Sequence, residues 1–331
     1  MPVPNKESQV EDAVDEVQPE ESIPSESGDS RHGHGHDLTV NDIIVVDPET
    51  LELDLNHGRI GKIQNLEPLT QIERLYLRWN LITKIENLNT LTTLKELELY
   101  DNQITKLENL SALVNLEILD MSFNRIREIE GLDDLVNLKK LYLSSNKISK
   151  IQNLNELKNL TLLELGDNKI REIENIDGLT SLNYLYLGKN KITKIEHLDS
   201  LVNLTCLSLQ SNRLTKIENL DKLTELTELY LSENGITKLE NLDSNKKLET
   251  LDLGQNQISV IENIEALENL AEFWMNDNKV NDWNSINNLA NHKNLATVYL
   301  ERNPVAEDPM YRRKLKMIAP SLSQIDATLC R

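Results

Sequence analysis

Residues 97–104 read Leu97-Glu98-Leu99-Tyr100-Asp101-Asn102-Gln103-Ile104, and the frame LxLxxNxI recurs every 22 residues on either side, with other apolar residues sometimes replacing its Leu and Ile. Its asparagines are Asn80, Asn102, Asn124, Asn146, Asn168, Asn190, Asn212, Asn234, Asn256 and Asn278. One copy upstream, Leu53 and Leu55 lead to Gly58 and Ile60. One copy downstream, Val298 and Leu300 lead to Asn303 and Val305 after a longer interval of 25. Twelve copies thus occupy residues 51–305, a regularity that chance does not produce.

Elementary geometry assigns each position a task. In a short strand Leu97 and Leu99 face one side, whereas Glu96, Glu98 and Tyr100 face the other. A unit of this length cannot bury its own leucines, so neighbours must stack and share one core. The strands then form a parallel sheet with a spacing of about 4.8 Å. The sharp turn after each strand exposes backbone groups, and a buried Asn amide has the donors and acceptor to satisfy them, copy upon copy. Downstream, Ile104, Leu107, Leu110 and Leu113 recur at a period of three, which predicts 3₁₀ turns on a thin convex side. The pattern is identified as leucine-rich repeats of the 22-residue class. The fold expected is an α/β solenoid with a parallel concave sheet and 3₁₀ or short helices opposite. Gly58 replaces Asn where no upstream rung exists to join.

The ends of a solenoid need covers. Residues 41–50 are read as the N-terminal one. Residues 306–331 are read as the C-terminal one, with a short helix through Met310, Lys314, Leu315 and Ile318 before Pro320; they resemble the cap of intracellular leucine-rich-repeat proteins. Residues 1–40 are different material, with ten acids against two bases, few apolar residues and several Pro and Ser, and are expected to be disordered.

Composition narrows the function. The 331 residues carry a net charge of −20, of which −8 falls on the tail and −12 on the body, which argues against a phosphate-gripping protein. Cys206 and Cys330 form no CxxC pair, so neither a disulfide scaffold nor a cysteine zinc site is expected. No apolar run approaches the roughly 20 residues of a membrane helix, and the N-terminus lacks the apolar core of a signal peptide. A soluble protein of a reducing compartment is the reading that remains. His32, His34 and His36 could hold a metal but lack a second ligand cluster, and a flexible polar spacer is the simpler account. His57, His197 and His292 are read as surface residues, and Cys206 as a concave or edge residue rather than a nucleophile. No GxxxxGK[ST], GxSxG or HExxH occurs, so no enzyme and no cofactor are expected. The sequons at Asn109, Asn159 and Asn203 follow from the repeat frame itself.

The informative residues are those the core does not need. Along the concave face one side chain per strand reads Asp54, Tyr76, Glu98, Asp120, Tyr142, Glu164, Tyr186, Ser208, Tyr230, Asp252, Trp274 and Tyr299. Six of these twelve are Tyr or Trp in a chain only 4% aromatic, and five are acids. β-propensity accounts for Tyr but less readily for Trp274 flanked by Glu272 and Asn276. Aromatic anchors ringed by charge are what protein interfaces use, and the acidic excess predicts a basic partner surface.

The repeats, their number, the acidic tail and the cap resemble the leucine-rich-repeat regulatory subunits of protein phosphatase 1. Residues Glu272-Phe273-Trp274-Met275-Asn276-Asp277-Asn278 and Thr297-Val298-Tyr299-Leu300-Glu301-Arg302-Asn303-Pro304 carry the likeness most clearly. The resemblance implies a non-catalytic subunit of nucleus and cytoplasm, acting in mitotic phosphatase control. It further implies binding of the protein phosphatase 1 catalytic subunit on the concave face, and a ternary complex with a small phosphatase inhibitor protein. Carried over by position, the contacts are Asp120, Tyr142, Glu164, Tyr186, Glu272, Trp274 and Tyr299. That family often has Phe where this chain has Tyr142 and Tyr186, so the ring is kept and a hydroxyl added. The short linear motif of many phosphatase partners is lacking, since Lys279-Val280-Asn281-Asp282-Trp283 has one spacer too many, and the folded face must do the binding. An axonemal or ribonucleoprotein scaffold is the rival expectation, because such proteins share the repeats and cap.

Overall fold

The computed structural model of the protein describes residues 46–330. The expected tail, His32, His34 and His36, and residues 41–45 of the N-terminal cover lie outside them. Twelve strands of three residues run parallel and in sequence order: β1 (Glu52–Asp54), β2 (Arg74–Tyr76), β3 (Glu96–Glu98), β4 (Ile118–Asp120), β5 (Lys140–Tyr142), β6 (Leu162–Glu164), β7 (Tyr184–Tyr186), β8 (Cys206–Ser208), β9 (Glu228–Tyr230), β10 (Thr250–Asp252), β11 (Glu272–Trp274) and β12 (Thr297–Tyr299). The register is set by the repeat: Leu75, Leu97 and Leu119 align across β2, β3 and β4, and the residues after them align in turn. The core is shared between copies. In one of them Leu97, Leu99, Ile104, Leu107, Leu110, Leu113 and Leu116 are all withdrawn from water, each burial stabilising the fold by roughly 1.5–3 kcal/mol.

The asparagine of each rung ties two copies together. The Asn168 amide nitrogen donates to the carbonyls of Leu143 (2.9 Å) and Leu165 (3.1 Å), and its Oδ1 accepts from the Ile148 N–H (2.9 Å). The pattern holds from Asn80, which reaches Leu55 and Ile60 of the first copy, to Asn303, which reaches Met275 and Val280. Each Asn of the 22-residue copies reaches 20 and 25 residues upstream, as Asn80 does, and at the equivalent position of the first copy Gly58 stands instead. The residue before each of these positions, from His57 to Arg302, has φ between 51° and 57°. This left-handed residue starts the sharp turn off the sheet.

A second left-handed residue follows farther along each 22-residue copy, and here the chain mostly uses Asn itself: Asn65, Asn87, Asn109, Asn153, Asn175, Asn219, Asn241 and Asn263, with Gly131 and His197 as exceptions. Asn tolerates this conformation better than most residues. Its amide also donates to the preceding copy, as in Asn153 to the Ile129 carbonyl at 2.7 Å. A third series, including Asn115, Asn137, Asn159 and Asn203, donates to the preceding copy from the outer edge. Asn109, Asn159 and Asn203 of the sequons therefore belong to these structural series.

As the three-residue spacing implies, the convex side of the regular copies consists of 3₁₀-type turns, such as Leu91 N–H to Leu88 O and Leu94 N–H to Leu91 O. Helical structure there is confined to the longer copy, with α1 (Trp283–Ile286) leading into a 3₁₀ helix at Asn287–Asn291, and to the region behind it. Two expectations are corrected or extended by what lies beyond these turns. His292 is not a surface residue. It is 3% exposed, occupies a position equivalent to the buried Leu267, and places Nε2 2.9 Å from the Ile264 carbonyl oxygen. Finally, the sheet does not stop at the twelfth copy. After a 3₁₀ helix at Pro304–Glu307 and α2 (Tyr311–Ile318), β13 (Gln324–Ile325) adds to β12 in parallel and β14 (Thr328–Leu329) reverses direction. Asp326 closes this end: its Oδ1 accepts from the N–H groups of Leu300 (2.9 Å) and Glu301 (3.0 Å) and from the Tyr311 hydroxyl (3.1 Å).

The two main asparagine series should differ in weight. Replacing Asn168 by Ala strands buried backbone groups in two copies and is expected to cost about 2–4 kcal/mol in urea unfolding. Asn153→Gly keeps the left-handed turn, as Gly131 does, and loses one bond, about 1 kcal/mol. Equal costs for the two would refute this division of labour.

Candidate protein-binding face

Each strand presents its middle-row side chain to the concave surface because its two apolar neighbours face inward. All seven predicted contact residues lie on that surface. Asp120, Tyr142, Glu164 and Tyr186 stand in register on the consecutive strands β4 to β7. Trp274 stands opposite Tyr299 on β11 and β12, with Glu272 on the same strand as Trp274. The structure thus forms two groups, four strand steps apart between Tyr186 and Trp274, or about 19 Å. Between them lie Ser208, Tyr230 and Asp252, of which Tyr230 continues the aromatic series without having been among the seven.

The acids of the middle row are not free surface charges. Asp120 and Glu164 accept from the backbone N–H two residues on, Ser122 at 2.9 Å and Gly166 at 3.0 Å, and Asp252 does the same with Gly254 at 3.0 Å. At Gly166 a Cβ would stand 2.6 Å from the Glu164 carboxylate, so the glycine lets that side chain fold back onto the turn without shifting. Burial raises the pKa of Asp120, Glu164 and Asp252 above the ordinary carboxylate range, outweighing these hydrogen bonds. Glu98 is raised as well, again chiefly by burial, although the Arg78 guanidinium pairs with it. A lane of carboxylates short of solvent and short of counter-charge runs along the sheet.

The rings between them are half-buried. Tyr142 and Tyr186 have their hydroxyl pKa raised by burial first, with neighbouring carboxylates adding to the effect for Tyr142. Tyr230 donates to Glu228 at 2.9 Å. Trp274 and Tyr299 meet edge to face at 5.8 Å, and Gln324 of β13 donates to the Tyr299 hydroxyl at 2.8 Å. The Trp274 indole N–H is shielded and has no partner within the described residues. Beside β6 and β7 the side-chain-free backbone of Gly166 and Gly188 leaves a shallow hollow of about 240 Å³ bordered by Phe123, Glu164 and Tyr186. Pre-positioned rings, a hollow and undercompensated carboxylates suit a protein surface that brings lysine or arginine side chains.

Cys206 lies on β8 as expected but is 1% exposed, and burial, with the Glu228 charge beside it, pushes its thiol up to about 12. Cys330 is half-buried. Among the described residues no cluster of His, Cys, Asp and Glu could hold a metal, and no helix is long and apolar enough to cross a membrane.

Sequence reading found the middle row because its period is that of the core. It missed Trp79 and Phe123, which stand one residue before the ladder asparagine. The signal was available: large aromatics at a turn position held elsewhere mostly by polar residues.

Two outcomes follow from this electrostatics. A carboxylate with raised folded-state pKa binds its proton in the native chain before the unfolded chain does, so its contribution turns more stabilising as pH falls through that folded pKa. The triple variant Asp120→Asn, Glu164→Gln and Asp252→Asn keeps acceptors for the turn amides and removes the desolvated charge. It should raise the urea midpoint at pH 7, with the gain shrinking on acidification; a lower midpoint at pH 7 contradicts the burial account. Iodoacetamide at pH 8 should modify Cys330 in the native chain and spare Cys206 until urea is added, because the thiolate is the reactive form.

Comparison with known proteins agrees with this architecture. Residues 92–134, 114–156, 136–178, 158–200 and 202–244 match the family described as Leucine Rich repeats (2 copies), and residues 228–328 match one described as Leucine-rich repeat. Protein phosphatase 1 regulatory subunit 7 of Danio rerio is 55% identical over 49 residues, and that of Homo sapiens 56% over 49, in each case 15% of this chain and 14% of the relative. The Xenopus tropicalis protein of that name is 52% identical over 52 residues. The matched stretch therefore spans about one seventh of these relatives. Among solved structures, an internalin (InlF) of Listeria monocytogenes superimposes with a TM-score of 0.69 at 27% identity, covering 86% of this chain and 88% of its own. InlJ of the same organism gives 0.70 at 21%, covering 84% and 63%, a likeness of fold alone. From the asparagine-laddered rungs to the cap, the chain belongs to the leucine-rich-repeat proteins.

Proposed function

We propose that this protein is a non-catalytic regulatory subunit that docks the catalytic subunit of protein phosphatase 1 on its concave face. The observation that carries the reading is the middle row itself, where ring and carboxylate alternate at Asp120, Tyr142, Glu164 and Tyr186 and the Trp274–Tyr299 pair follows beside Glu272. The partial likeness to protein phosphatase 1 regulatory subunit 7 supports it.

In this reading Tyr142, Tyr186, Trp274 and Tyr299 are the anchors, and Asp120, Glu164 and Glu272 meet bases of the partner. Asp120 and Glu164 are already desolvated in the free protein, so a cation arriving there removes a penalty paid on folding rather than creating a new one. The rings are held by the sheet, which limits the ordering cost of association. A small phosphatase inhibitor as third component, a role in mitosis, and residence in nucleus and cytoplasm complete the proposal.

The test is calorimetric titration of the full chain with the phosphatase catalytic subunit. Trp274→Ala combined with Glu272→Ala should weaken binding by about 2 kcal/mol or more, roughly thirtyfold, whereas Lys140→Ala at the rim should change it little. Unchanged affinity in the double variant sinks the proposed site. Absence of binding by the wild-type chain, with axonemal or ribonucleoprotein components recovered on affinity purification instead, sinks the partner.

A further inference from the structure

Four rings line up outside the middle row, at the end of the sheet where the first four copies turn off. His57 stacks on Trp79, with centroids 4.5 Å apart and planes 6° from parallel. Trp79 meets Tyr100 edge-on at 5.5 Å, and Tyr100 meets Phe123 at 4.9 Å. Trp79 is 41% exposed and Phe123 46%, so neither ring is there to fill the core. Both backbones are left-handed, φ 53° at Trp79 and 54° at Phe123. That conformation disfavours bulky residues, and the same position elsewhere holds Asp101, Ser145, Asp167, Lys189, Ser211, Glu233, Gln255, Asp277 or Arg302. Two large rings occupy a place where a small polar residue folds more readily. Exposed aromatics held at backbone cost are a mark of a binding surface.

The charges beside this ledge have one sign in excess. Asp101 stands at the corresponding position of the copy between Trp79 and Phe123. Asp54, Glu98 and Asp120 form the adjoining stretch of the middle row, and Glu98 alone of these has an ion-pair partner within the described residues, Arg78. Asp54, Asp101 and Asp120 have no ion-pair partner within the described residues, although the exposed Arg59 and Arg125 stand two residues beyond His57 and Phe123, so the ledge offers unpaired carboxylates to a cation on the rings. Spacing narrows the choice further. Trp79 and Phe123 are two rungs apart, about 9.6 Å, and in a polyproline-II segment every third residue returns to the same face after about 9.3 Å. Such a segment crossing the rungs brings one side chain to each ring and passes over Asp101 between them. Guanidinium suits both demands, because it stacks on aromatic faces and binds carboxylates in a fork.

We propose that Trp79, Tyr100 and Phe123, with Asp101 between the outer rings, form a docking strip for an extended arginine-bearing segment of a partner protein. The strip lies on β2 to β4 and the turns after them, apart from the Trp274–Tyr299 group, and does not depend on the phosphatase reading. Phe123 also borders the hollow beside Glu164 and Tyr186, so a segment leaving the strip continues into the concave surface.

The probe is a peptide of four Arg-Gly-Ser triplets, titrated by calorimetry against the full chain at low salt. Matched peptides carrying Lys or Glu in place of Arg serve as comparisons. The Arg peptide should bind, the Lys peptide more weakly, and the Glu peptide not at all. Trp79→Ser combined with Phe123→Ser is compatible with the turn, as Ser145 and Ser211 show, and should weaken the Arg peptide about tenfold with a circular-dichroism melt no lower than that of the wild type. Asp101→Asn should weaken it severalfold and leave the rings in place. Equal binding by the double Ser variant, equal binding of the Glu peptide, or no binding of the Arg peptide below about 1 mM overturns the proposal. A wild-type chain that sediments as a dimer while the double variant is monomeric also overturns it, assigning the ledge to a second copy.

Discussion

The solenoid depends on a side-chain amide that does the work of a peptide group. After each strand the chain must leave the sheet, and the turn leaves carbonyls and an N–H that no regular ladder satisfies. Asn168 and its equivalents satisfy them from both sides of a rung junction, donating to two copies and accepting from one. One acceptor oxygen and one doubly protonated nitrogen, spaced as in a backbone peptide, are needed at the interior edge of a leucine core. A longer Gln would overreach, and an Asp would lack the donors. The apolar stacking supplies most of the stabilisation, but the amide decides where each layer ends and the next begins.

This explains what was legible from the chain. The LxLxxN frame was plain because strand, turn and core make identical demands in every copy. The other asparagine series were not, although their period is the same. Asn87 and its relatives follow an Ile-Glu pair and read as ordinary polar surface, whereas the requirement they meet, a left-handed backbone plus a donor to the previous copy, shows only in three dimensions. The three-residue apolar spacing was a faithful sign of the 3₁₀-type turns on the convex side, since each turn buries one apolar residue in three, as with Leu88, Leu91 and Leu94. His292 was hidden by residue type: it aligns with Leu267 once the 25-residue copy is allowed for, and its ring bonds a carbonyl from within an apolar position. The seven residues named for the concave face stand on it because the side of the strand they face follows from alternation alone. What alternation could not reveal was their environment, that Asp120 and Glu164 turn back onto their own backbone and are poor in solvent.

The two faces of the sheet therefore obey different rules. Toward the core nearly every position holds Leu, Ile or a near-equivalent such as Met121 or Phe273, and the polar exceptions, Asn245 and His292, each bond a carbonyl of the preceding copy. Toward the concave side the backbone is already held by the ladder, and Tyr, Glu, Asp, Ser and Trp all occur at one position without altering the register. Recognition can thus be composed one copy at a time on a framework that does not change.

The end of the sheet at β13 and β14 has a consequence of its own. A stack of parallel rungs is by construction a template for another parallel rung, and so for end-to-end growth into a fibre. At β14 the direction reverses, and Asp326 has already occupied the N–H groups of Leu300 and Glu301 with a side chain that can donate nothing onward. Among the described residues the edge at β14 runs opposite to the twelve rungs, so it does not offer a template for a further parallel copy.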